Sequence, residues 1–358
     1  MLKFIVGELM LKISKKLLLG ILAIVIVLLV IIVLVLVIPT TPSKPPVIKD
    51  KYLVAALTSK GLHFFNTTTL MAVEFDVAGQ VSPNITSYIM ASDGEYVYVG
   101  FNDPDAKIWQ MHLKNGTVSE MVLQGIVYLN KLRVSGSTLY VLAMNYTAGM
   151  ASVTEVSTET FKISNSVLLP NVMGDPYDLI IDGAFRFLTT FNVSSGVGSL
   201  IKLDSSYVIQ KRVEVPMASP TKMVVSGDKI YVRGSDAVAV YTKDLALVAQ
   251  ANSIFGFGWL DVGGGQVYVA GQQINGFPCL YELSPENLTI TKVITLSEVS
   301  GFASQVIYED ESVYATMWES TNGASVVKLV NDVITVKFIV PEAANSWSTD
   351  LMIFEVPR

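Results

Sequence analysis

From residue 47 onward, hydrophobic and polar positions fall into short runs of β-branched and aromatic residues, separated by Gly- and Asp-centred turns. Stretches such as Tyr96-Val97-Tyr98-Val99, Leu139-Tyr140-Val141, Phe185-Arg186-Phe187-Leu188 and Val267-Tyr268-Val269 have the composition of strands, and none is long or periodic enough for a helix. The same phrase recurs seven times: a turn residue, then a strand centred about four positions later. The turns are Asp50, Gly94, Gly136, Gly183, Gly227, Gly264 and Asp310, spaced by 44, 42, 47, 44, 37 and 46 residues. Such a period accommodates four short antiparallel strands, the unit of a β-propeller blade. One unit parses fully as strands 221–225, 229–233, 237–241 and 245–250, with Gly227 at a tight turn that needs positive φ.

The expected fold is therefore all-β, a seven-bladed β-propeller over 47–358. The first unit offers only three strands, and the chain ends in one more, Asp350-Leu351-Met352-Ile353-Phe354-Glu355-Val356. That C-terminal strand is expected to pair with the N-terminal unit as its innermost strand, removing two open sheet edges and closing the ring.

The N-terminal region has a different pattern. Residues 17–38 form an uninterrupted run of 22 residues without a charge, about 33 Å as a helix, and lipid leaves helix as the only single-segment solution. It is too long for a signal peptide's apolar region and leaves through Ile38, Pro39, Thr40 and Thr41 without a small-residue cleavage site. The reading is a short cytoplasmic segment (1–16), one N-terminal transmembrane α-helix (17–38), a Pro-rich extended spacer (39–46) and the propeller. A prepilin-type leader, suggested by Lys15 and Lys16, is the alternative. Lys3, Lys12, Lys15 and Lys16 precede the run and Lys44, Lys49 and Lys51 come after it, a slight bias toward an inside N-terminus.

Asn-x-Ser/Thr sequons at Asn66, Asn84, Asn115, Asn145, Asn192 and Asn287 use six of fifteen asparagines, against about two expected by chance. This favours a glycosylated, extracellular propeller on a single-pass anchor. A net charge of −6 with 16% charged residues argues against a nucleic-acid partner. The lone Cys279 excludes an intramolecular disulfide, so stability rests on burial.

Pro176 and Pro220 each lie seven residues before a turn glycine, and the segments Leu203-Asp204-Ser205-Ser206 and Tyr241-Thr242-Lys243-Asp244 form matching outer hairpins. In these features the chain resembles the YVTN-type propeller repeats, relatives of which occur in archaeal surface-layer proteins. The resemblance implies fold and surface location, not an activity.

Catalytic chemistry is sparse. His63 and His112 stand alone, without a second ligand at metal spacing, and no nucleophile elbow or Walker loop occurs. The glycines of 256–265 lead into a hairpin instead of a helix, so they read as turn chemistry, as does the acidic run Glu309-Asp310-Glu311. Asp178 and Asp350 are candidates for a channel metal in an extracellular hydrolase or lactonase, although matching acids do not recur around the ring. No catalytic residue, metal site or cofactor is assigned. Because propellers usually bind on the face of their interblade and second-to-third-strand loops, Phe255, Phe257, Trp259, Trp318, Trp347 and Tyr177 are the candidate contacts for a surface protein or glycan partner. The function expected is a cell-surface binding or interaction module; a metal-dependent hydrolase and an architectural envelope, filament or virion subunit are the alternatives.

Overall fold

The computed structural model describes residues 49–57, 61–67, 72–73, 88–103, 105–125, 128–172, 174–256, 258–321, 323–340 and 348–357. The proposed membrane helix and spacer, together with Asn84, Phe257 and Trp347, lie outside the described residues. Among the described residues no helix is long and apolar enough to cross a membrane.

Every regular element described is a strand, and every pairing is between antiparallel strands consecutive in the chain, apart from one. Six four-stranded meanders are each cut from one contiguous stretch, 88–123, 128–169, 175–215, 222–252, 260–295 and 301–340. Their first strands are Tyr88–Ser92, Tyr128–Ser135, Asp175–Asp182, Lys222–Ser226, Leu260–Gly263 and Gly301–Glu309. These lie side by side in chain order around a central axis, which makes the chain an all-β propeller.

The exception joins the two ends. The final strand, Ser348–Pro357, pairs with Lys49–Leu57, which continues through Gly61–Asn66 to the two-residue strand Ala72–Val73. Register runs from Lys49 opposite Pro357 to Ala56 opposite Asp350. The final strand also lies against both Gly301–Glu309 and Tyr88–Ser92. The expectation of seven like units is thus corrected: six blades are complete and contiguous, and the first repeat is not a blade by itself. It has three strands of its own, the third very short, and borrows its inner strand from the far end of the chain.

Burial explains why the strand signal is a run of apolar residues and not an alternation. Second and third strands are covered on both faces by neighbouring blades, so Thr138–Asn145 and Pro278–Leu283 are buried almost throughout. Outer strands such as Lys162–Leu169 and Ile290–Thr295 are mostly exposed. The core is accordingly divided. One cluster joins Ile89, Tyr98 and Ile108 to Leu132, Val141 and Val156 of the next blade, and comparable clusters fill each later interface. Phe65, Tyr314, Val326 and Leu351 form the one that binds the last contiguous blade to the composite sheet.

The turns leaving the inner strands do what the repeat required. Gly136, Gly183 and Gly227 have φ of 58°, 57° and 61°. Where the repeat has Asp310 and Glu311, these side chains adopt φ of 47° and 58°. The acidic run is therefore a tight hairpin turn, held in a region that costs L-residues about 1–2 kcal/mol each.

Candidate functional site

Aligning the inner strands on their turns brings one column of residues into a single layer of the central channel. Five residues before each turn stand Ile89, Lys131, Asp178, Lys222, Trp259 and Gln305, and Asp350 takes the corresponding place on the closing strand. A local device orients this layer. Pairing register shifts between Leu129 and Lys131, Pro176 and Asp178, and Ala303 and Gln305, and a similar irregularity at Ala56/Leu57 sits opposite Ser348–Asp350. Each bulge places an extra residue just before the layer and re-aims the next side chain.

The layer is strongly polar and mostly buried. Asp178 is fully buried; it accepts hydrogen bonds from Arg133 Nη2 at 3.0 and 3.2 Å and from the backbone N–H groups of Leu179 (2.9 Å) and Met223 (2.8 Å). Asp350 accepts from Lys131 Nζ at 3.3 Å, from Met90 N–H at 2.7 Å and from Leu351 N–H at 3.0 Å. One layer along, Asp261 accepts from Tyr308 N–H at 2.8 Å. All three carboxylates tie one inner strand to the backbone of the next, so they act as latches between blades.

Asp178 and Asp350, the candidates for a channel metal, do converge, but each is spent on a cation and two backbone donors. Among the described residues no group of three or more His, Cys, Asp or Glu could hold a metal ion. Burial opposes ionisation of Asp178, yet Arg133, Lys222, Lys131 and the Met223 N–H outweigh it and hold the carboxyl below its ordinary range. At Asp261 burial wins over the Tyr308 and Val262 N–H groups and pushes the carboxyl up.

Lys222 is the unusual member. It is buried, and its Nζ stands 3.9 Å from the centroid of the Trp259 ring, which Lys131 Nζ also approaches at 4.3 Å. Among the described residues no carboxylate lies within ion-pair distance of it, unlike Lys131 and Arg133. Burial, then repulsion from Lys131 and Arg133, lowers its pKa to about 7 against the pull of Asp178 and Asp350. A cavity of about 720 Å³ begins at Lys222 and Trp259 and runs down the inner strands to Ser135, Asp182 and Glu309 beside the turns.

The expected contact residues separate into two places. Trp259 belongs to the channel layer, beneath its two lysines. Phe255 is 44% exposed on the interblade face, and Trp318 is half-buried there against Phe302 at 5.7 Å. Tyr177, also half-buried, hydrogen-bonds Ser219; burial, then Asp175, raises its pKa, as they do for Tyr146. Tyr128 and Tyr146 approach Tyr177 electrostatically and are 40% and 54% exposed, and Ile274 on the same face is 92% exposed. Sequence reasoning missed these three and both channel lysines. An apolar residue in the polar loop Gln272-Gln273-Ile274-Asn275-Gly276 was a usable signal, and so was a lysine at the same offset in two apolar strands.

Of the sequons, Asn115 and Asn287 are exposed in outer turns, where their side-chain oxygens accept from the N–H of Thr117 and Thr289. Asn145 and Asn192 end second strands and accept from Ala148 and Ser194 N–H in the loops that follow. Asn66 ends a strand of the composite sheet. His112 accepts from Lys114 N–H and packs edge-on to Tyr96, while His63 lies within Gly61–Asn66.

No family model matches the chain, and no curated protein sequence does. Solved structures do. A protein of unknown function from Desulfotomaculum acetoxidans aligns over 86% of this chain and 99% of its own with a TM-score of 0.64 at 12% identity. The dihydro-heme d1 dehydrogenase NirN aligns over 85% and 76%, with a TM-score of 0.60 at 10% identity. A chain of a nidogen/laminin complex aligns over 85% and 98%, with a TM-score of 0.50 at 12% identity. The shared property is the β-propeller fold. At such identities the likeness extends to the path of the backbone and not to any site.

Proposed function

We propose that the chain is a membrane-anchored binding module whose propeller, closed by the composite sheet, is displayed outside the cell. The observation that carries this reading is the aromatic face. Tyr146 and Phe255 are exposed in a second-to-third-strand loop and an interblade segment, Tyr128 is exposed at the start of an inner strand, and Tyr177 and Trp318 are half-buried near strand ends on that side. Large amphipathic rings are costly to leave in water and dominate recognition energy when covered. The described chain enters at Lys49, opposite Pro357, at the end of the ring where the inner strands turn. The 22-residue apolar run supports the anchor, and the sequons support the exterior location.

The partner is a surface protein or a glycan, the two chemistries that aromatic platforms serve. The test is capture from native membranes by the full-length protein after chemical cross-linking. Replacing Phe255 and Trp318 together by Ala is expected to abolish capture while leaving the melting temperature within a few degrees. Undiminished capture by a folded double variant would place the docking surface elsewhere.

A further inference from the structure

We propose that the channel is a binding site for a small organic carboxylate, taken by the ammonium of Lys222 at the Trp259 indole with Lys131 alongside. Charge pairing in the layer singles out that lysine. Arg133 is matched by Asp178 and Lys131 by Asp350, through contacts of 3.0 and 3.3 Å. Asp261 turns its oxygen to the Tyr308 N–H. Among the described residues Lys222 is left with an aromatic ring and no anion, although only 8% exposed. A buried ammonium in that condition costs several kcal/mol, which a bound anion relieves.

The same inventory sets the ligand's charge. Among the described residues one cation of the layer has no ion-pair contact, and Asp178 and Asp350 stand close enough to repel further negative charge. Their repulsion favours a monoanion over a phosphate dianion. The cavity reaches Lys222 and, at about 720 Å³, holds a ligand of monosaccharide size. At its other end Asp182 is already paired with Lys243 at 2.6 Å, and Glu309 lies by the turn. The site is separate from the aromatic face, so the two readings fail independently.

The charged groups around Lys222 are Lys131, Arg133, Asp178, Asp261 and Asp350, with Asp182 and Glu309 further down the cavity. Lys222 titrates near neutrality, at about 7. Anion binding therefore takes up a proton above that pH, and affinity declines as pH rises.

The experiment is calorimetric titration of the full-length protein with glucuronate, glucose and inorganic phosphate at pH 6 and pH 8.5. Expected is one saturable site for glucuronate at pH 6, none for glucose, and more than tenfold weaker glucuronate binding at pH 8.5. Lys222→Met is expected to lose at least tenfold in affinity, and Lys243→Met to bind like the parent. Trp259→Phe should retain heat of binding but lose the indole fluorescence change. The proposal is overturned by absence of saturable glucuronate binding, by equal binding of glucose, by tighter binding of phosphate, or by undiminished binding in folded Lys222→Met.

Discussion

Replacing Lys222 by Met keeps the length of the side chain and removes the charge, so it isolates the cost of holding an ammonium in the channel. The parent's proton affinity at this site drops from 10.5 to about 7 because burial and two neighbouring cations penalise the charged form. At 1.36 kcal/mol per pH unit, that displacement corresponds to an upper bound of about 5 kcal/mol. Water entering the channel and loss of the Trp259 contact reduce the net gain to about 2–4 kcal/mol. The sign is set by proton binding. Between about pH 7 and 10.5 the unfolded chain holds a proton on Lys222 that the folded chain does not, so parental stability climbs with pH across that window. Below pH 7 both states are protonated and the penalty is constant and full.

Lys222→Met should therefore exceed the parent in stability most at pH 6, and the two should converge toward pH 9.5. Urea denaturation midpoints at pH 6, 7.5, 8.5 and 9.5, in buffers free of carboxylates, measure this directly. The depressed Asp178 and the tyrosines raised by burial act outside this window, and the raised Glu282 affects both proteins alike. Parallel pH profiles, or a variant less stable than the parent at pH 6, would refute the account of an uncompensated ammonium.

Asp178→Ala removes the acceptor for Arg133 and for two backbone N–H groups inside a closed interface, and a loss of about 3–5 kcal/mol is expected in urea unfolding. Deleting 348–358 strips Lys49–Leu57 of its inner partner and exposes a free sheet edge, so the truncated chain should self-associate on size exclusion and be cleaved rapidly by protease within its first hundred residues. Cys279 is fully buried, and burial pushes its thiol up to about 12. It should resist a thiol-reactive dye at pH 7.5 in the native state and react within minutes in denaturant.

The polar layer shows why a fold can be read from this chain more readily than its site. Lys131, Asp178, Lys222 and Trp259 occupy the same offset from their turns, so the column is present in the sequence once the repeats are aligned. Its direction is not. Simple alternation along a strand does not predict which face a side chain takes when a bulge precedes it, and bulges stand before Lys131, Asp178 and Gln305. Pairing is further hidden by distance: Lys131 meets Asp350 across 219 positions, and Asp350 meets Met90 across 260. Trp259 looked like a docking residue for the same reason, since an aromatic residue in an interblade segment can face outward or into the channel.

By itself the sequence determined the strand-rich architecture, six of the seven turn positions (Asp50 lies within a strand) and the borrowing of the last strand by the first unit. These depend on local propensity and on the number of strands a segment can hold, quantities that neighbouring residues settle among themselves. Tertiary structure decided that only six blades are contiguous, that two acids suspected of binding metal serve as blade latches, and that one lysine of the channel layer has no ion-pair contact among the described residues. Those outcomes depend on which side chains a closed ring brings face to face across its axis, and electrostatic matching there is set by distances through space that chain order does not contain.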